Sequence, residues 1–274
     1  MTNSEWYALL EMPDEVTAML EAIGAKETIA IPDAVKAAYL CRETAEKGYE
    51  QLKALVGEDQ NGMKMLYAVL QMAGETWEKY REKGIPADIF SETMKLASRF
   101  LRSRYGWSGE WKFVHGWWIW RELAMAEYRV GCLEYELVEE KGRRFVSLHI
   151  PSDADMSAES IDASFADFKA FLHTYYPEWE NLPWECDSWM MSPALEELLP
   201  ERSKILAFNR RFQVMEVNED SLGVLEWVFP GYEEVSENLP EKTSLQRKMK
   251  KWLLEGKKVG WTRAVLRSDA VPFA

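Results

Sequence analysis

Cysteine is scarce in this sequence, and basic residues are too few to balance the acidic ones. The 274 residues include three cysteines, Cys41, Cys132 and Cys186, which lie far apart in the chain. An odd number of widely spaced cysteines argues against a disulfide framework and against a structural zinc site. The 33 Lys and Arg residues, set against 46 Asp and Glu residues, give a formal net charge of −13. Because such a chain repels polyanions on average, we expect neither nucleic acid nor an anionic membrane as a partner.

Long apolar runs and the common catalytic signatures are also missing. No stretch reaches the roughly 18 apolar residues expected of a membrane span, and no basic segment followed by an apolar run indicates a signal peptide. We therefore expect a soluble cytoplasmic protein whose thiols are reduced. The sequence contains no metal-ligand spacing, P-loop, G-x-S-x-G motif or dinucleotide fingerprint. We therefore expect no metal site.

The first part of the chain has helical periodicity. Apolar residues make up 47 % of the sequence, which is enough for one large domain or two modest ones with their own cores. From Met63 to Tyr80 the apolar positions recur every three or four residues, and Gly84 and Pro86 follow. Five tryptophans then crowd between residues 107 and 120. We take this change of pattern as a junction, which predicts a helical domain over 1–115 and a second domain over 116–274.

The second part alternates between strand and helix patterns. A period of two runs from Tyr128 to Leu137, and Lys141-Gly142 predicts a turn into a return strand. The further predicted elements are a helix over Ser157–Tyr175, strands over Trp184–Met190, 204–217 and Val224–Phe229, a basic helix over Leu245–Leu254 and a strand over Val259–Leu266. The whole chain is therefore predicted to be α+β, with a helical part followed by a sheet with flanking helices.

Three segments of the second part carry candidate chemistry. The turn after the strand that ends at His149 leads into a helix, whose free N–H groups can cradle a phosphate; alternatively, it is an ordinary turn that binds nothing. Cys186-Asp187-Ser188 closes a strand and offers groups for acid, base or nucleophilic chemistry. Alternation sends Cys186 and Ser188 to one face of that strand, and Cys186 can equally be a buried structural residue. Arg211, after Arg210 in an apolar run, either contacts an anion or forms a structural ion pair.

Several segments together resemble a bacterial family of acyltransferase-like proteins, in which a helical N-acyltransferase domain precedes a GNAT-like domain. The resemblance covers roughly residues 60–215. The segments that carry it are Gly84-Ile-Pro-Ala-Asp-Ile-Phe90, Glu127-Tyr-Arg-Val-Gly-Cys-Leu-Glu-Tyr-Glu136, Leu148-His-Ile-Pro-Ser152, Cys186-Asp-Ser-Trp189, Leu198-Leu-Pro200 and Ile205-Leu-Ala-Phe-Asn-Arg-Arg-Phe212.

This resemblance implies a mixed, mostly antiparallel sheet that binds acetyl-CoA or another acyl-CoA where two central strands separate. It implies acyl transfer to an amine, carried by a small molecule or a peptide, with His149 as base and Ser188 or Cys186 as acid. The pyrophosphate would lie on the turn after the first of these strands. The implied cofactor-binding residues are Ile150, Ser152, Asp153, Ala154 and Arg211. The acceptor, the acyl chain and the oligomeric state stay open.

Two other functions compete with acyl transfer. No glycine lies between Gly142 and Gly223, Pro151 removes an N–H donor, and Asp153 and Asp155 add negative charge where a polyanion would approach. These residues favour a binding or regulatory module that has kept the fold and lost the cofactor. A third hypothesis is a cysteine-dependent hydrolase that uses Cys186 with His149, and the sequence alone leaves enzyme and non-enzyme both open.

Overall fold

The computed structural model of the protein describes residues 2–26 and 29–270. The chain divides into two compact units, Met1–Val130 and Gly131–Ala274. The domain boundary expected between residues 115 and 116 stays a prediction. Within the described residues, no helix is both long enough and apolar enough to cross a membrane.

The first unit is built mainly from helices. Its elements are α1 (Asn3–Leu9), α2 (Asp14–Lys26), α3 (Asp33–Tyr39), α4 (Ala45–Val56), α5 (Met63–Lys83), α6 (Ala87–Met94), α7 (Leu96–Ser108), α8 (Trp120–Leu123) and the strand β1 (Glu127–Val130). Helix α5 forms over the segment whose apolar spacing predicted a helix, and it ends before Gly84, which has a positive φ of 75°. Phe90 of α6 packs against Trp77 and Tyr80 of α5, with ring centroids 5.0 and 5.1 Å apart. The amphipathic pattern of α5 therefore places its apolar stripe in the core of this unit.

The second unit alternates strands and helices. Its elements are β2 (Leu133–Glu140), β3 (Arg143–His149), α9 (Ala158–Tyr175), β4 (Trp184–Ser188), α10 (Leu195–Leu198), α11 (Lys204–Asn209), β5 (Phe212–Asn218), α12 (Val224–Val228), α13 (Ser244–Leu254) and β6 (Trp261–Leu266). Short 3₁₀ turns lie at Pro177–Trp179, Trp189–Met191 and Ser268–Ala270.

The strands of the second unit lie in the order β2-β3-β4-β6-β5. The hairpin between β2 and β3 turns at Lys141 and Gly142, which both have positive φ, as a type I′ hairpin turn requires. The pair β3 and β4 is parallel, with α9 in the crossover, and the other pairs are antiparallel. The predicted α+β class and the mixed, mostly antiparallel sheet are therefore confirmed.

Helix α9 covers one face of this sheet. Phe168 stacks on Tyr135 of β2 with ring centroids 3.8 Å apart, and it lies 5.3 Å from the ring of Trp184 on β4. The hydroxyl groups of Tyr135 and Ser164 are hydrogen-bonded at 2.8 Å. We call this side of the sheet the α9 face, and the opposite side the distal face.

Three predicted strands are wrong in whole or in part. The run over 204–217 forms helix α11 followed by β5, Val224–Phe229 contains helix α12, and the strand from Trp184 ends at Ser188 before a 3₁₀ turn. A short apolar run does not distinguish a helix from a strand by its periodicity. Tertiary packing decided these cases, because α11 and α12 bury Leu206, Leu225 and Val228 in one core.

Candidate active site

The parallel strands β3 and β4 pair only along part of their length. The register joins Val146 to Trp184 and Ser147 to Glu185, and the two strands then continue to His149 and Ser188 outside this ladder. A gap therefore opens between the carboxyl ends of β3 and β4, within residues that the structure describes. Backbone groups beside such a gap need other partners, and a ligand can supply them.

Strand alternation sorts the candidate residues to the two faces of the sheet. Trp184 faces α9, because its ring contacts Phe165 and Phe168, so Cys186 and Ser188 share the α9 face. Ser147 is paired with Glu185, and both lie one residue out of phase with Trp184. His149, two residues after Ser147, therefore points to the distal face. The predicted base and the two predicted acids therefore lie beside the gap on opposite faces of the sheet.

His149 is held by a carboxylate on the neighbouring strand. Its Nε2 lies 3.0 Å from Oε2 of Glu136, and that carboxylate is almost completely buried, with a side-chain exposure of 5 %. The imidazole itself is 24 % exposed. With the carboxylate as acceptor, Nε2 carries the hydrogen, and Nδ1 is then the basic nitrogen of the neutral ring. The arrangement can fix both the tautomer and the orientation of His149.

The two predicted acids differ in accessibility. Cys186 is completely buried, and burial raises the pKa of its thiol far above the ordinary value, so the thiol stays protonated at neutral pH. Ser188 is partly exposed, and its Oγ accepts a hydrogen bond of 3.1 Å from the N–H of Met190. A hydroxyl that accepts in this way can still donate its own hydrogen. Ser188 is therefore the donor that a ligand in the gap can reach.

Asp187 lies between these two residues and points to the distal face. Its side chain is exposed to solvent. Desolvation raises the pKa of the Asp187 carboxyl, Arg263 acts against this shift, and the negative charges of Glu216 and Glu185 add to it. The strand end therefore presents an accessible carboxylate beside the gap.

The loop from Ile150 to Ser157 leads from β3 into α9. Ser157 caps the helix by accepting the N–H of Ser160. The Asp155 carboxylate accepts hydrogen bonds from Ser157 N–H at 3.0 Å, Ser157 Oγ at 2.8 Å and Ser160 Oγ at 2.7 Å. Lys204 lies 3.3 Å from the same carboxylate. These donors lower the pKa of Asp155 strongly, so the protein's own carboxylate engages this helix start.

The predicted cofactor-binding residues are distributed unevenly over this region. Ser152 and Asp153 are exposed at the tip of the loop, and Ile150 and Ala154 are partly exposed. Arg211 lies apart from the tip, and its guanidinium is engaged by Asp162 of α9. Of the two alternatives for Arg211, the structure contains the ion pair. The cofactor-binding role of all five residues stays a prediction.

Two relationships in this region were not visible in the sequence. Glu136 was visible as a glutamate in the alternating run, but its proximity to His149 depends on the register between β2 and β3. Asp187 stood in the motif that supplied Cys186 and Ser188, but alternation alone did not show that it shares a face with His149. The missing signal in both cases was the pairing of strands.

Comparisons with known proteins agree with this architecture. A family model described as "GNAT-like C-terminal domain" matches residues 87–266, and one described as "N-acyltransferase N-terminal domain" matches residues 1–125. Among curated proteins, no sequence matches the chain. The bacterial origin and the cytoplasmic location stay predictions.

Solved structures of acyltransferases share the fold. One, crystallised with decanoyl-CoA and teicoplanin, is 22 % identical, with a TM-score of 0.79 over 96 % of this chain and 86 % of that chain. A mutant acyltransferase in complex with octanoyl-CoA is 21 % identical, with a TM-score of 0.80 over 98 % and 87 % of the two chains. An acyltransferase with decanoyl-CoA is 19 % identical, with a TM-score of 0.71 over 99 % and 100 %.

Proposed function

The chain belongs to the family of proteins with a GNAT-like C-terminal domain, and from this premise we propose that it is an acyl-CoA-dependent N-acyltransferase that acylates an amine. The observation that carries the proposal is the gap between β3 and β4. The imidazole of His149 and the carboxylate of Glu136 lie beside this gap on the distal face, and the hydroxyl of Ser188 and the thiol of Cys186 lie on the α9 face. The similar acyltransferases are crystallised with acyl-CoA or CoA, and two of those complexes also contain teicoplanin or 10C-teicoplanin.

The two faces of the sheet suggest where each substrate would enter. The loop 150–157 and the start of α9 lie on the α9 face, so Ser152, Asp153 and Ala154 would contact the CoA pyrophosphate from that side. The exposed loop tip and the helix start fit this role, whereas the carboxylate of Asp155 opposes an incoming polyanion. The amine acceptor would approach from the distal face, where His149 lies.

Each residue beside the gap then has a chemical task. An acyl-CoA supplies a thioester, whose carbonyl carbon is open to attack by an amine. His149, oriented by Glu136, takes one proton from the amine as its nitrogen forms a bond to the acyl carbon. Ser188 gives a proton to the sulfur as the carbon–sulfur bond breaks. We place Ser188 ahead of Cys186 in this role, because Cys186 is buried and would have to move to reach the sulfur.

Substitution of His149 tests the mechanism against a matched histidine. We expect His149→Ala to lower kcat/KM by about 10²-fold or more, as expected for the loss of a general base. His173→Ala is the control, because His173 lies on the exposed last turn of α9 beside Glu180. The assay follows thiol release from decanoyl-CoA with a panel of primary amines, and mass spectrometry identifies the amide. Equal loss in both variants, or no loss in either, would refute the role of His149.

A second candidate, a binding or regulatory module of the same fold, is favoured by two observations. The carboxylate of Asp155 and the pairing of Arg211 with Asp162 use groups that a pyrophosphate would otherwise engage. Calorimetry separates the two functions, because only the acyltransferase must bind CoA. Absence of heat and of a thermal shift with millimolar CoA and decanoyl-CoA would favour the module and refute the enzyme.

The geometry speaks against the hydrolase hypothesis. Cys186 and His149 point to opposite faces of the sheet, so a hydrogen bond from thiol to imidazole would require one of them to turn through the sheet. Burial also raises the pKa of the thiol, which disfavours the nucleophilic thiolate.

A further inference from the structure

Helix α13 is basic in a chain that is acidic overall. Between residues 241 and 258, seven residues are Lys or Arg and two are Glu, whereas the whole chain has a net charge of −13. The helix is amphipathic, because it buries Met249 and Leu253 in the apolar core and turns its other side to solvent. A basic amphipathic helix is typical of a surface that binds an anionic partner.

The protein itself neutralises only part of this charge. Lys250 is buried and lies 2.8 Å from the carboxylate of Glu241, and Lys258 is paired with Asp220. Arg247 is exposed and donates a hydrogen bond to a backbone carbonyl. Lys248 is exposed as well, and within the described residues no ion pair includes either of these two cations. Both are therefore available to the carboxylates of another molecule.

Four residues form the exposed side of this helix. Lys251 lies one turn after Arg247 and only reaches Glu255 at 4.0 Å, and Leu254 is 39 % exposed although it is apolar. Helical spacing puts residues three and four apart on the same side of the helix. We call Arg247, Lys248, Lys251 and Leu254 the α13 surface. It combines three positive charges with one apolar contact.

The core that holds α13 begins at the end of β4. Trp189 follows Ser188 directly in the chain, and its side chain belongs to the same apolar core as Met249 of α13. Ser192 donates a hydrogen bond to the carbonyl oxygen of Val259, in the segment that follows α13. The strand end beside the gap and the helix that carries the α13 surface are therefore parts of one packed body.

Charge complementarity on the α13 surface favours a small acidic protein as its occupant. Exposed guanidinium and ammonium groups attract carboxylates and guide the approach of an acidic partner. A membrane or a nucleic acid would extend beyond the helix over a chain with a net charge of −13, which repels both. A small protein contacts the α13 surface alone, and at 0.1 M salt charges more than about 10 Å away are largely screened.

We propose that the α13 surface docks a small acidic carrier protein, which brings the acyl group to the gap as a thioester on its phosphopantetheine arm. This inference rests on the proposed acyl transfer. CoA and such a carrier protein offer the same reactive group, because both end in phosphopantetheine. The amine nitrogen forms a bond to the acyl carbon, the carbon–sulfur bond breaks, and one proton from the amine is balanced by one proton on the sulfur. The products are an amide and the free thiol of the carrier, and the α13 surface acts by binding the donor.

The test compares two donors of the same acyl group. Turnover of the full chain is measured at low salt with decanoyl-CoA and with acyl carrier protein that has been loaded with a decanoyl group, and the panel of primary amines supplies the acceptor. One variant combines Arg247→Glu, Lys248→Glu and Lys251→Glu. We expect its kcat/KM to fall by about tenfold or more with the decanoyl carrier protein and to stay within about twofold of the wild type with decanoyl-CoA.

The matched control changes the net charge by the same amount at exposed positions of α4 and α5. It combines Lys47→Glu, Lys53→Glu and Lys79→Glu and should turn over both donors like the wild type. Unchanged turnover of the decanoyl carrier protein in the α13 variant would overturn the inference. So would a wild type that uses decanoyl-CoA and not the decanoyl carrier protein. An equal fall with both donors in the α13 variant also contradicts the inference, because the surface would then bind CoA itself.

Two binding measurements separate the remaining outcomes. Sedimentation with phosphatidylglycerol vesicles tests a membrane as the occupant, and binding to the vesicles without binding to the carrier protein would overturn the inference. Calorimetry with the carrier protein that bears an unloaded phosphopantetheine arm measures docking without turnover. If the wild type acylates no amine with either donor, the proposed function fails, whereas weaker calorimetric binding in the α13 variant alone would still support docking on the α13 surface.

Discussion

Protonation of one partly buried histidine should make the protein less stable in mild acid. His115 stacks on Phe100 with ring centroids 3.6 Å apart and an interplanar angle of 8°. Burial, with a smaller contribution from the charge of Arg104, lowers the pKa of His115 from 6.5 to about 4. The unfolded chain therefore binds a proton more readily between these values. The stabilisation is fully present above pH 6.5 and is lost as the pH falls toward 4.

The size of this loss follows from the two pKa values. With 6.5 in the unfolded chain and about 4 in the folded one, the free energy of unfolding should fall by about 2 kcal/mol between pH 7 and pH 5. Other titrating groups add their own pH dependence, so the quantity to measure is a difference. His115→Phe keeps an aromatic ring against Phe100 and removes the titration.

Urea unfolding at pH 7 and at pH 5 measures this difference. The wild type should lose about 2 kcal/mol more than His115→Phe over this interval. If both proteins lose the same free energy, then His115 does not titrate with a lowered pKa, and the argument fails. If His115→Phe is less stable than the wild type by the same amount at both pH values, the substitution has caused a packing defect. The change in free energy between pH 7 and pH 5 can still be compared in that case.

Two further predictions concern residues around the site. Gly131→Ala should lower the free energy of unfolding by about 2–4 kcal/mol, because Gly131 has a φ of 66° and an added Cβ would lie 2.8 Å from Cβ of Ser164. Gly142→Ala is the control and should cost only about 1 kcal/mol, because Gly142 has a φ of 72° but open space around it. Equal losses of free energy in urea unfolding would be inconsistent with the contact between Gly131 and Ser164. Asp155→Asn should strengthen CoA binding at low ionic strength, since it removes a negative charge from the start of α9. If the variant and the wild type bind CoA equally well at low and at high salt, the pyrophosphate does not approach this helix start.

Local chemistry made several elements predictable. The three- and four-residue spacing from Met63 to Tyr80, followed by Gly84, predicts α5 because all the signals lie within the helix itself. Ser157 accepts an N–H from the first turn of α9, and Lys141-Gly142 supplies the positive φ angles of the hairpin. In each case the residue that decides the conformation is within a few positions of the backbone that it shapes.

The candidate site was predictable only in part for the same reason. The sequence indicated His149, Cys186 and Ser188, because each stands at the end of a strand-like run. It did not indicate that Glu136 holds His149, because this contact depends on how β2 and β3 pair. It offered Asp187 as part of a candidate segment, but the level of Asp187 beside His149 follows from the parallel register of β3 and β4 across a long crossover.

The sequence by itself determined the α+β class, the amphipathic helices and the alternation of faces along each strand. Tertiary structure alone decided that 204–209 and 224–228 are helical, since their apolar residues gain more by entering one shared core than their short patterns can specify. It also decided that Arg211 pairs with Asp162, 49 positions away in the chain, and that His149 and Cys186 flank the gap from opposite sides. Register between distant strands is fixed by packing over the whole sheet, and no local pattern encodes it.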